Sequence, residues 1–223
     1  MIWDLLKSFK QLCDPSFRAV FLRTVVLSIL LFLLLVVGAW YLLSITQIFN
    51  WSWLEFLTDK VGWLLALVVG CILFPGTVVF VMSFNLDSVI LAVEKKHYAD
   101  LAPAKNQTFF EALIFNIRYI GAVLTVNLLL VPVYFIPVLN LIIFGLANGY
   151  FIGREYFELI APRRLERGAV KLLQKRFKFR FWFAGIIISY LLVIPVLNFV
   201  VPMIAVTFML HTFEKCRKEY ERT

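Results

Sequence analysis

The chain has 223 residues, of which 62% are hydrophobic and 16% charged, with 23 phenylalanines and a net charge of +8. A soluble domain carries about 45–50% apolar and about 25% charged residues, so this apolar excess is too large for a core and requires lipid as solvent. The basic residues sit between apolar runs and form no single soluble face, which excludes nucleic acid as an expected partner.

Taken in chain order, residues 1–21 read as a cytoplasmic N-terminal helix. Lys7, Lys10, Arg18 and Arg23 precede an apolar stretch too long for a signal-peptide core, with no small-residue cleavage site after it, so the segment is expected to be retained. Between Arg23 and Glu55 lie 31 uncharged residues, and between Lys60 and Asp87 lie 26. Each supplies the roughly 20 residues that a helix needs to cross about 30 Å of hydrocarbon. The expected spans are 22–46 and 61–86. Tryptophans 51, 53 and 63 mark the interface between them. Leu86, Val89, Ile90 and Val93 keep helical spacing, so the second span continues as an amphipathic helix to about residue 99. Thr108 to Glu111 form a capping-box pattern that opens the next helix.

Two later runs, 119–153 and 181–213, are uncharged over 35 and 33 positions. Each holds one copy of the same phrase, Ile136-Pro137-Val138-Leu139-Asn140 and Ile194-Pro195-Val196-Leu197-Asn198, 58 positions apart. Proline breaks a helix and pushes its predecessor out of the α region, so each run is expected to fold as a hairpin, over 109–160 and 181–214. Legs of about 15 residues reach only about 20–25 Å, which favours re-entrant hairpins over full crossings. Pro137, Asn140, Pro195 and Asn198 mark the tips, with the asparagines expected as helix caps. Gly145, Gly149 and Gly153 repeat at the spacing that lets membrane helices approach closely.

Between the hairpins, residues 163–180 are expected to form a basic interfacial helix. Arg164, Arg167, Lys171, Lys175 and Lys178 fall on one stripe towards anionic lipid head groups, and Leu165, Ala169, Leu172 and Phe177 fall on the other. Residues 215–223 form a cytoplasmic tail. If both hairpins re-enter, the loop at 47–60 alone faces the far side, and it holds one basic residue, Lys60, of the 22 in the chain. That bias places both termini in the cytoplasm.

Catalytic motifs are absent from the sequence. His97 and His211 have no carboxylate or thiol at a motif spacing, and Cys13, Cys71 and Cys216 have no metal or disulfide spacing. No mid-membrane carboxylate suggests a proton relay. Neither enzyme chemistry, a metal nor a cofactor is expected. The fold expected is thus one all-α integral membrane domain over 1–223: two long transmembrane helices, two re-entrant helical hairpins and amphipathic cytoplasmic helices.

Tyr134-Phe135-Ile136-Pro137, the second proline phrase with its continuation Phe199-Val200-Val201-Pro202, and Ser83-Phe84-Asn85 together resemble the CysZ-like sulfate permeases, within the broader etoposide-induced-protein domain family. The resemblance covers most of the chain. It implies two full spans with two hemi-penetrating hairpins, a multi-pass place in a bacterial inner membrane, and sulfate or a similar small anion as solute. It also implies anion binding at a Gly-Leu-Arg-like motif opening the first membrane helix, which maps onto Ser16, Phe17 and Arg18. Ser16 stands where that motif has glycine, and Ala19 where a second arginine often follows. Because a hairpin that does not cross cannot form a pathway alone, a homo-oligomer is expected. Some members of the broader family are not regarded as sulfate transporters, which leaves a non-transporting, lipid-binding membrane organiser as the other reading.

Overall fold

The structure, a computed structural model, describes residues 1–46, 52–99, 109–194, 197 and 199–222. Every regular element among them is helical. The helices are α1 (Ile2–Gln11), α2 (Pro15–Thr46), α3 (Ser52–His97), α4 (Phe109–Tyr134), α5 (Pro137–Ile160), α6 (Arg167–Val193) and α7 (Val201–Glu221), with one 3₁₀ turn at Ala161–Arg163. They divide into two compact units, one of Asp14–Ser88 and one of Met1–Cys13 with Val89–Thr223.

In the unit Asp14–Ser88, α2 and α3 lie antiparallel. Thr24 Oγ1 meets Met82 Sδ at 4.0 Å, and the Phe32 and Phe74 rings meet edge to face at 5.5 Å. The few buried hydroxyls donate back along their own helix, Thr24 to the Val20 carbonyl at 2.9 Å and Ser28 to that of Thr24 at 2.7 Å. Such bonds satisfy a hydroxyl where no water is present. Two helices contain segments long and apolar enough to cross a membrane, Phe17–Gly38 and, among the described residues, Gly76–His97. Only 11% of the first is buried against the rest of the chain. Leu30, Leu33, Leu34 and Val37 all point outward there. At 1.5 Å per residue α3, with 46 residues, is about 69 Å long. It is therefore more than twice the length needed for one crossing and has room for the amphipathic extension. The expected span 61–86 lies within α3 and overlaps the second segment at residues 76–86.

In the other unit, α7 is central. Every residue from Val201 to Glu214 is buried, as α1, α5 and α6 pack around it. The most extensive pair is α5 with α6, joined along a glycine seam. A Cβ on Gly149 would lie 2.5 Å from the Ile186 side chain. One on Gly145 would strike the Tyr190 ring, and one on Gly153 the Phe181 carbonyl. Gly185 answers from α6, where a Cβ would strike the Gly149 carbonyl. Small residues bring the backbones close enough for Trp182 Nε1 to donate to the Leu146 carbonyl at 2.9 Å and Tyr190 Oη to that of Leu141 at 3.0 Å. The inner legs of the two proline-marked runs are thus locked together.

Several boundaries depart from the sequence-based expectation. The N-terminal segment is two helices rather than one over 1–21, because Pro15 starts α2 afresh. Pro132 lies inside α4, so the first turn shrinks to Phe135 and Ile136. Ile136 is extended (φ −102°, ψ 104°), as a residue before proline should be, and is itself the N-cap of α5. Pro137 occupies the first turn of α5, where its missing N–H costs nothing. Asn140 therefore does not cap; its N–H bonds the Ile136 carbonyl at 2.8 Å, one turn inside the helix. At the second turn Ile194 closes α6, and Pro195, Val196 and Asn198 lie outside the described residues, as does Thr108 of the capping box. The legs are longer than 15 residues: α4 has 26 and α5 has 24, about 39 and 36 Å, because the helices run on through their charged ends. The basic segment begins at Arg167 rather than 163 and forms the first part of α6, set off from the remainder, which runs to Val193, by a kink at Phe177 (φ −110°, ψ 21°).

Candidate anion site

Pro15 opens α2, and the Arg18 N–H bonds the Asp14 carbonyl at 2.9 Å, which puts Asp14 at the N-cap. The backbone N–H groups of a first helical turn have no partner within the helix and carry the positive end of its dipole. Arg18 is exposed in that turn, while Phe17 beside it is buried. Phe17 anchors the turn, and its neighbour projects a guanidinium from it. Ser16 contributes backbone at the same turn. N–H groups and a guanidinium in one turn are the donor set that holds a tetrahedral oxyanion. Asp14 sets the other sign at this mouth, and Ala19 adds no second cation.

The basic stripe divides. Arg167, Lys171, Lys175 and Lys178 are exposed on α6. Arg164 is not among them. It precedes α6 and forms a two-pronged pair with Glu94, Nη2 to Oε1 at 2.7 Å and Nε to Oε1 at 3.1 Å, with side chains only 9% and 8% exposed. The apolar side is also rotated. Val170, Leu173, Phe177 and Phe181 are buried, whereas Leu172 is 57% exposed. Arg164 and Lys171 do not share a helix, because α6 begins only at Arg167.

A polar cluster that sequence reasoning missed surrounds His211 on α7, outside both candidate spans. Gln11 Nε2 lies 3.3 Å from His211 Nε2, and Tyr98 Oη lies 2.7 Å from His211 Nδ1. In this amide orientation Gln11 donates, so Nε2 accepts and the Nδ1–H donates to Tyr98. Burial, then His97 nearby, lowers the pKa of His211 to about 4. Burial raises the Tyr98 hydroxyl, helped by Glu214 and Asp4. Burial alone would also raise Asp4, but Lys215 at 2.6 Å and the Met1 amino group outweigh it and hold the carboxyl low. Gln11, Tyr98 and His211 come from three distant parts of the chain, so no local spacing joins them. Gln11 and His211 are polar residues on buried helix faces, and the sequence does not show which faces those are.

The family model described as Sulfate transporter CysZ/Etoposide-induced protein 2.4 matches residues 4–202. The chain belongs to this family. The match covers both candidate spans, the Arg18 turn and the seam between α5 and α6. No curated protein matches the chain. The family description names a sulfate transporter, which suggests a transporter-like role, and the apolar segments and outward-facing leucines of α2 agree with a place in a membrane.

Proposed function

We propose that the protein is a passive or channel-like permease for sulfate or a similar small anion, in a bacterial inner membrane, with both termini cytoplasmic. The observation that carries this reading is Arg18, exposed in the first turn of α2, in a chain whose family model names a sulfate transporter. At the cytoplasmic end of its path the solute meets the N–H groups of Ser16 and Phe17 and the Arg18 guanidinium, which substitute for part of its hydration shell. Asp14 at the N-cap keeps that binding weak, which suits a site that must also release its ion. The hairpins of α4–α5 and α6–α7 re-enter on the cytoplasmic side, and several copies assemble to enclose a path that one copy does not supply.

Cells lacking their own sulfate permeases test this. Expression of the wild type should restore sulfate uptake, and Arg18→Ala should lower it by about tenfold, the order expected for losing a charge-assisted contact. No uptake, or full uptake by Arg18→Ala at equal membrane abundance, counts against the site. A non-transporting membrane organiser is the second reading, favoured by the exposed Lys171, Lys175, Lys178, Leu172 and Phe179 of α6, a combination suited to an anionic lipid surface.

A further inference from the structure

An open groove of about 560 Å³ runs between α4 and α5, within the about 300–1,000 Å³ typical of sites for small molecules. Ala122, Val126 and Leu130 recur at four-residue spacing along the α4 wall, Ala147 and Tyr150 form part of the α5 wall, and Arg154 closes one end. Small side chains at Ala122 and Ala147 make the hollow. The lining is apolar along its length and cationic at one end, which is the polarity of an amphiphile.

We propose that this groove holds one acyl chain of an anionic phospholipid, with its phosphate on Arg154. Three observations favour that occupant. From Ile143 to Arg154 the α5 wall advances about 17 Å, close to half of a hydrocarbon core of about 30 Å, so the groove matches one leaflet. Arg154 is the first charge after the uncharged run 119–153, which sets it where the chain leaves hydrocarbon and head groups begin. A guanidinium has five N–H donors in a planar fork that fits phosphate. Arg154 also interacts with Glu158 one turn on, and burial raises the Glu158 pKa. The phosphate adds an acceptor to that pair. Arg18 is not among the residues that line the groove, so this inference rests on the membrane placement and not on the transport reading.

The test is native mass spectrometry of the full chain, delipidated in detergent and then supplied with phosphatidylglycerol or phosphatidylcholine. Wild type should retain one phosphatidylglycerol about tenfold more tightly than phosphatidylcholine. Arg154→Gln should remove the preference. Leu130→Trp, which fills the apolar end and leaves Arg154 intact, should weaken retention of both lipids. Equal retention of the two lipids by the wild type, or unchanged retention in both variants, overturns the proposal. So does efficient disulfide formation between copies carrying Ala147→Cys in a background without the native cysteines, since a second copy would then fill the groove.

Discussion

Arg164 and Glu94 show what a single buried pair contributes and what its loss would cost. Both side chains are more than nine-tenths buried, so removing one leaves the other charged and desolvated. Arg164→Ala should destabilise the protein by about 3–5 kcal/mol, whereas replacing both partners with apolar residues, Arg164→Met with Glu94→Leu, should recover much of that. Thermal unfolding in detergent checks both. His211 makes the second residue-scale prediction. Its folded pKa is about 4 against the ordinary 6.5, so the folded state disfavours the charged ring. The unfolded chain takes up the proton first as pH falls, and the stability due to the neutral ring, fully present above pH 6.5, declines through that value until about pH 4. Between pH 7.5 and pH 5 the loss should be about 2 kcal/mol, and His211→Gln should lose less over the same interval. Asp4 opposes this trend by favouring the charged ring; Lys7, Lys215 and His97 reinforce it. None of this was legible in the sequence, because Gln11, Tyr98 and His211 meet only through the packing of α1 and the end of α3 against α7.

At the scale of elements, the glycine seam is the most specific packing feature. Overpacking a tight contact costs about 1–3 kcal/mol or more. Gly149→Leu should lower the melting temperature clearly, because the Ile186 backbone lies 2.8 Å from where a Cβ would stand. Gly121→Ala, on α4 with nothing within 4 Å of its Cβ position, should not lower it. Equal melting shifts for the two would contradict the packing described. The proline phrases located the first turn to within two residues, since a proline must begin a helix or break one. They misplaced the asparagine, because Pro137 already occupies the first turn and leaves Asn140 inside. The basic stripe was read one turn too early for a related reason. Charge pattern gives no sign that residues 161–166 are a 3₁₀ turn and bend.

For the whole molecule, hydropathy and charge sufficed to identify an all-helical membrane protein, because lipid demands long apolar helices with internally satisfied backbones. Hairpin depth was argued from uncharged length, yet α4 and α5 run about 39 and 36 Å through their charged ends. The re-entrant reading now depends on where the tip lies. Phe135 is 82% exposed within the chain, which makes it a reporter. With the native cysteines removed, Phe135→Cys should resist a membrane-impermeant maleimide applied from the periplasmic side, and rapid labelling from that side would mean that the hairpin crosses. The transport claim is tested most directly by labelled sulfate flux into liposomes containing only the purified protein. Sulfate should enter down its gradient without an added energy source, and Arg18→Ala should reduce that entry about tenfold. Flux no faster than in protein-free liposomes, or undiminished by that substitution, would contradict it.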